Sequence, residues 1–142
     1  MALQLITKHS LTLDIAKHMA AAAHAEAAKN GWKMFITILD DGGNVMYVER
    51  MDGTQIGSFD VSIAKGRCAV YFRRPTKAME DVVAGGRTVV MTLPNAVPVE
   101  GGIPLMADGQ MVGAVGISGG TSPQDGIVAA AAQAALDGLL KG

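Results

Sequence analysis

The chain has 142 residues and only one cysteine, Cys68. That excludes an internal disulfide and any thiolate-rich zinc site. Cys68 sits among Ala64, Ala69 and Val70 in a helical stretch, where a small buried hydrophobe is the default reading. Aromatic residues make up 4% of the chain, with a single tryptophan. Few side chains are therefore available to stack on a large planar ligand, and there is no C-x-x-C-H for covalent haem attachment. Neither sign of charge dominates: the formal net charge is -1 and lysine and arginine are scattered, which argues against nucleic acid and against a polybasic membrane segment. No apolar run approaches membrane-spanning length, and the N-terminal MALQLITKHSLTLD lacks the apolar core and small-residue cleavage site of a secretory signal. The cytoplasm is the expected location.

What is abundant is small and apolar. Hydrophobic residues reach 49%, with 18 glycines and 9 methionines, a composition suited to close packing and to methionine as core and interface filler. At this length one domain, residues 1–142, is expected, burying about two-thirds of the surface that its unfolded chain exposes. So apolar a domain must also expose much of its hydrophobic surface, and burial between subunits is the economical remedy, which predicts a symmetric homo-oligomer.

Helical and strand patterns alternate without a linker. Leu11 to Asn30 reads as a helix, with Thr12, Ala16, Met19, Ala23 and Ala27 at spacings of three and four and Asn30-Gly31 as its stop. Trp32 to Leu39 and Val45 to Arg50 read as strands of a hairpin around Asp40-Asp41-Gly42-Gly43-Asn44, whose aspartates are turn-formers. Phe59 to Phe72 is helical, Arg74-Pro75 interrupts, and a short helical piece follows around Met79 to Val83. Thr88 to Glu100, with two prolines, is the least regular part. Ile103 to Met106 and Gln110 to Ile117 are strands flanking Ala107-Asp108-Gly109, and Pro123 to Leu140 closes the chain as a helix. This order predicts an α+β fold, an antiparallel sheet of about five strands with helices packed on it.

The stretch GISGG, Gly116 to Gly120, fits the G-x-S-x-G pattern of a serine hydrolase's nucleophile elbow. The elbow needs an acid and then a histidine later in the chain, and the three histidines, His9, His18 and His24, all precede Ser118. Ser118 is therefore expected to be a turn residue. The same stretch is a well-made helix start: Ser122 as N-cap, Pro123 in the first turn, and Asp125 reaching back to oppose the dipole. Backbone N–H groups there, around Ser118, Gly119 and Gly120, are candidate donors to a carboxylate or phosphate.

Three ordered blocks bring a family into view: ILDDGGNVMYVERMDG (Ile38 to Gly53), KGRCAVYFRRPT (Lys65 to Thr76) and GGIPLMADGQMVGAVGISGGTSPQD (Gly101 to Asp125). Through them the chain resembles the GlcG/HbpS family, also called the haem-degrading domain family, which includes the C-terminal domain of PduO-type proteins. It departs from the family pattern at Gly66, where alanine is usual, at Cys68, where threonine is usual, and at Glu100, where proline often precedes the glycine pair. The resemblance implies a profilin-like α-β-α architecture, homo-oligomers that are often octamers, and haem or another tetrapyrrole as cofactor, in storage, sensing or protection. An enzymatic role stays open.

Haem needs an axial ligand, and the resemblance points to histidine in the first helix. His18 and His24 lie six residues apart, so about 600° of helical turn separates them and they cannot jointly chelate one metal. His18, beside core-facing Met19, is the preferred ligand and His24 the second candidate; no dedicated metal site is visible. The competing reading is a metabolite site for a carboxylate or hydroxy acid, built from Arg50, Asp52 and Lys65 with backbone donors from Gly101, Gly102, Ser118, Gly119 and Gly120. Arg50 would grip a carboxylate with its planar fork, Lys65 would add a point charge, and Asp52 would orient them or act as a base. The simpler account of Arg50, Asp52 and Lys65 is an ion-pair network tying strand to helix. A third possibility is an accessory or chaperone-like subunit acting beside other proteins.

Overall fold

The structure is a computed structural model and describes residues 1–141. Its elements are α1 (Leu13–Lys29), β1 (Phe35–Asp40), β2 (Val45–Arg50), α2 (Ser58–Phe72), α3 (Thr76–Ala84), a 3-10 turn (Thr88–Thr92), β3 (Gly102–Ala107), β4 (Gln110–Ser118) and α4 (Ser122–Lys141). The strands form one antiparallel sheet in the order β2-β1-β4-β3. It has four strands, not the five expected. The irregular stretch that could have supplied a fifth holds Pro94 and Pro98, which have no N–H to give a ladder, and it coils into the 3-10 turn and loop instead.

Local chemistry explains where the elements start and stop. Thr12 caps α1, its hydroxyl accepting the Ile15 N–H at 3.2 Å. At the other end Gly31 takes φ +74°, and the Gly31 and Trp32 N–H groups donate back to the carbonyls of Ala28 and Ala27. This is a Schellman stop, in which glycine supplies the left-handed residue at no steric cost. It uses Trp32 as part of the cap, and β1 therefore begins at Phe35, three residues later than the strand pattern suggests. In the β1–β2 loop the Asp40 carboxylate accepts the N–H groups of Gly42 and Asn44, each at 2.9 Å. Burial alone would raise the pKa of Asp40, but those two bonds, the Asn44 side chain and the Lys8 charge outweigh it and hold the acid below its ordinary value. Between β3 and β4, Asp108 and Gly109 both have positive φ, the geometry of a two-residue type I′ hairpin turn.

The sheet is covered on both faces. Met34, Ile36, Ile38, Val115 and Ile117 meet Ala16, Met19, Ala23 and Ala27 of α1 and Val128, Ala129, Ala132 and Leu136 of α4. The alanine-rich stripes of both helices let them approach closely. On the other face α2 lies directly on the backbone of β3 and β4. A Cβ on Gly116 would stand 1.8 Å from the Ser62 carbonyl oxygen, and one on Gly102 would stand 2.3 Å from that of Lys65. These two glycines are paired across β3 and β4 and form the floor on which α2 rests. A smaller cluster, Cys68, Met79 and Val90, joins α2 to α3 and the 3-10 turn. Cys68 accepts the Val97 N–H at 3.3 Å, and burial pushes its thiol pKa up despite that bond.

The surface carries many large apolar side chains, among them Ile56, Val89, Met91, Leu93, Ile127 and Leu140. No helix among the described residues is long and apolar enough to cross a membrane.

Candidate functional site

Antiparallel pairing brings the ends of the motif blocks to one end of the sheet. In register, Arg50 of β2 faces Phe35 of β1, which faces Ser118 of β4, while Gly102 starts β3 two residues away. Asp52, Gly101, Gly119 and Gly120 lie in the loops just beyond. The neighbourhood expected from the sequence thus forms, but its charged groups are not shared as expected.

Lys65 projects from the middle of α2 and runs beneath the loop before β3. Its ammonium donates to Asp125 Oδ2 at 2.8 Å and to the Ile117 carbonyl at 3.1 Å, with side chains only 2% and 3% exposed. Neither Arg50 nor Asp52 takes part, so the expected Arg50, Asp52 and Lys65 network is replaced by a buried Lys65–Asp125 pair. Burial raises the pKa of Asp125, opposed by the Lys65 hydrogen bond and charge and by the Gly120 N–H. Gly101, at φ +134°, passes over this pair. A Cβ there would meet the Ile117 oxygen at 2.6 Å and the Lys65 ammonium at 2.8 Å, so the glycine is needed both for its backbone angle and for room.

Asp125 Oδ1 also accepts the Gly120 N–H at 3.0 Å. The anion at the start of α4 is thus the chain's own carboxylate. The cap is Thr121, one residue earlier than expected. Its N–H donates to Gln124 Oε1 at 3.0 Å, while its hydroxyl accepts the Gln124 N–H at 3.4 Å, a reciprocal capping box. The departure from the family pattern at Glu100 lies close by, its carboxylate against Gly126 in the first turn of α4, where the helix dipole favours negative charge. Ser118 is a buried strand residue, 6% exposed, with no histidine against it. The Lys65 ammonium is thus committed to the chain's own carboxylate and to a backbone carbonyl.

Arg50 and Asp52 lie on the outside. The Arg50 guanidinium stands over the Phe35 ring, 5.9 Å from its centroid, and donates to the Thr54 carbonyl at 3.1 Å. Asp52 lines a cleft of about 310 Å³ with His24, Trp32, Lys33 and Met51. A second cleft of about 340 Å³ shares Trp32 and Lys33 with it and reaches Gly119, Gly120 and Gln124. The two form one depression divided by the Trp32–Lys33 segment.

The structure separates the two histidines of α1. His18 bonds through Nδ1 to its own helix, at the Asp14 carbonyl 2.8 Å away, and 57% of its side chain is exposed. His24 faces the cleft and is tied by Nδ1 to Glu49 of β2 at 2.5 Å. Glu49 in turn accepts the Tyr47 hydroxyl at 3.3 Å. Against a carboxylate Nδ1 is the donor, and Nε2 makes no hydrogen bond among the described residues. Glu49 went unnoticed in the sequence: it pairs with Ile36 and shares with Tyr47 the face of β2 that α1 covers, so only the packing of α1 brings His24 to it; Trp32 and Lys33 were passed over as strand residues. Among the described residues no three of histidine, cysteine, aspartate and glutamate come together to hold a metal ion.

This geometry sits in a chain with close relatives. Protein GlcG of Escherichia coli K12 is 43% identical over 112 residues, 79% of this chain and 84% of GlcG. Among solved structures, Klebsiella pneumoniae protein ORFY superposes with a TM-score of 0.88 at 27% identity, covering 96% of this chain and 98% of that one. The PduOC:heme complex superposes with a TM-score of 0.81 at 27% identity, covering 89% and 95%. Residues 11–134 match the family described as haem degrading protein HbpS-like. The three sequence blocks, the four-stranded sheet that joins them and this match agree: the chain belongs to the HbpS-like family.

Proposed function

We propose that this protein binds haem or a related tetrapyrrole through His24, on the flank of α1, as a homo-oligomer serving storage, sensing or protection. The observation that carries the reading is the His24–Glu49 pair. A carboxylate holding Nδ1 fixes ring orientation and tautomer and makes Nε2 the more basic ligand. The surroundings suit the group. Trp32 and Met51 offer apolar contact to a macrocycle, and the Lys33 ammonium, free of any carboxylate among the described residues, can meet a propionate. Asp52 in the same cleft would repel that propionate and so sets which edge of the ring enters. The depression is open and holds only part of a porphyrin, which leaves the rest for a second copy of the chain to cover. When bound, haem would supply an iron centre whose potential and reactivity depend on its axial ligand. The likeness to the PduOC:heme complex supports the choice of cofactor, and the geometry of this chain supports His24 over His18.

The test is a hemin titration of the tag-free protein followed by absorbance, repeated with His24→Ala, His18→Ala and Glu49→Gln. The expected result is a saturable Soret shift that His24→Ala abolishes, His18→Ala leaves intact and Glu49→Gln weakens. A featureless titration overturns haem binding. A shift that survives His24→Ala overturns the ligand assignment.

A further inference from the structure

Away from the His24 cleft, α2, α3 and the 3-10 turn line a separate, half-open cavity of about 340 Å³. Phe72, Met79, Val82 and Leu93 form its apolar walls, and the exposed Arg74 and Arg87 border it. Neither guanidinium has a carboxylate within salt-bridge distance among the described residues. The nearby acids of α3, Glu80 and Asp81, are both engaged by Lys77, at 3.3 and 2.8 Å. Arg74 spends only its Nε, on the Phe72 carbonyl at 2.9 Å. An apolar slot flanked by two uncompensated guanidiniums is complementary to an anion with an apolar body, because the walls reward burial of hydrocarbon and the guanidinium fork matches a carboxylate.

We propose that this cavity is a binding site for a small amphiphilic carboxylate, a medium-chain fatty acid or an aryl-alkanoic acid. Size sets the class. At the roughly 30 Å³ that a water occupies in the liquid, 340 Å³ is room for roughly eleven non-hydrogen atoms, the size of octanoate or phenylpropionate. Charge sets the head group. Two arginines without acids would repel their own copies if this face packed against itself across a two-fold axis, which favours a small anion over a second copy of the chain. The site stands independently of the haem reading and shares no residue with it.

The test is calorimetric titration of the full-length protein with octanoate, with octanol and acetate as probes that keep only the apolar body or only the charge. Octanoate is expected to bind saturably and to raise the melting temperature, octanol about tenfold or more weaker, and acetate not at all. The variant pair Arg74→Gln and Arg87→Gln alters only exposed side chains and keeps the fold, which circular dichroism checks; it should weaken octanoate about tenfold for each guanidinium removed. His24→Ala should leave octanoate binding unchanged, so that failure of the haem reading and failure of this one are told apart. Absence of saturable binding, equal affinity for octanol, or octanoate affinity untouched in the Arg74→Gln/Arg87→Gln variant would each overturn the proposal. So would a Val82→Arg variant that converts an oligomer to monomers without any octanoate binding in the parent, because the slot would then be a contact between copies.

Discussion

Lys65 and Asp125 are 60 residues apart in sequence and nearly inaccessible in the fold, and their energetics can be worked out before they are measured. In Asp125→Ala the lysine keeps its place under Gly101 with only the Ile117 carbonyl as partner. It must stay charged in an apolar setting or give up its proton. Deprotonation from an ordinary pKa of about 10.4 at about pH 7 spans roughly 3.4 units, or about 4.6 kcal/mol at 1.36 kcal/mol per unit, a ceiling on the loss. In Lys65→Met the carboxylate keeps the Gly120 N–H and can take up a proton, at a ceiling of about 4.2 kcal/mol from an ordinary pKa of about 3.9. Burial already raises the pKa of Asp125, so the second loss falls further below its ceiling than the first. Each single change is expected to cost about 3 to 4 kcal/mol, out of a total of about 5–15 kcal/mol for domains of this kind. The double variant should cost less than the sum by about 2 kcal/mol or more, because no charge is left unpaired. Urea unfolding at fixed protein concentration measures all four proteins. The pH dependence has a definite sign. Without Lys65 the two largest influences lowering the acid's pKa are gone, so folded Asp125 binds its proton more tightly than the unfolded chain does. The stability of Lys65→Met should be greatest below the ordinary value of 3.8 and fall as pH rises toward neutrality. Single variants that cost under about 1 kcal/mol, as exposed pairs do, or that add without coupling, would refute the reasoning.

Four further outcomes follow from other contacts. Gly116→Ala should prevent stable folding, since its Cβ would stand 1.8 Å from the Ser62 oxygen and 2.8 Å from the Gly66 nitrogen, both backbone atoms; Gly138→Ala, with nothing within 4 Å, should instead stabilise α4 by up to about 1 kcal/mol, and paired thermal melts compare them. Asp40→Ala removes the acceptor for the Gly42 and Asn44 N–H groups and should cost about 1–2 kcal/mol. Because the Asp40 pKa is held below 3.8, its contribution should be present above that value and fade as pH falls through the lower folded value, which acid-unfolding curves of wild type and variant would reveal. Cys68, buried and with a raised thiol pKa, should resist iodoacetamide in the folded protein and react after urea unfolding; rapid labelling of the native protein, read by mass spectrometry, would contradict the packing at Met79.

The sequence by itself determined what depends on neighbours a few residues apart. Repeats at three and four placed the helices. Asn30-Gly31 ended α1, Asp40 to Asn44 and Asp108-Gly109 shaped the hairpins, and the three motif blocks carried the family resemblance. In all of these the interacting groups lie within one turn or one loop, so the residue type alone settles the geometry. Local signals misled where two local structures competed, as when the Schellman stop took Trp32 from β1, or where capping by Thr121 and Gln124 prevailed over Ser122. Tertiary structure decided the pairings: Lys65 with Asp125 rather than with Arg50 or Asp52, and His24 rather than His18 with a carboxylate on β2. It also decided that two glycines of different strands lie side by side to receive α2. These depend on which strands neighbour each other and on which face of the sheet each helix covers. A charge in the sequence advertises that it needs a partner, but only the packing chooses which one.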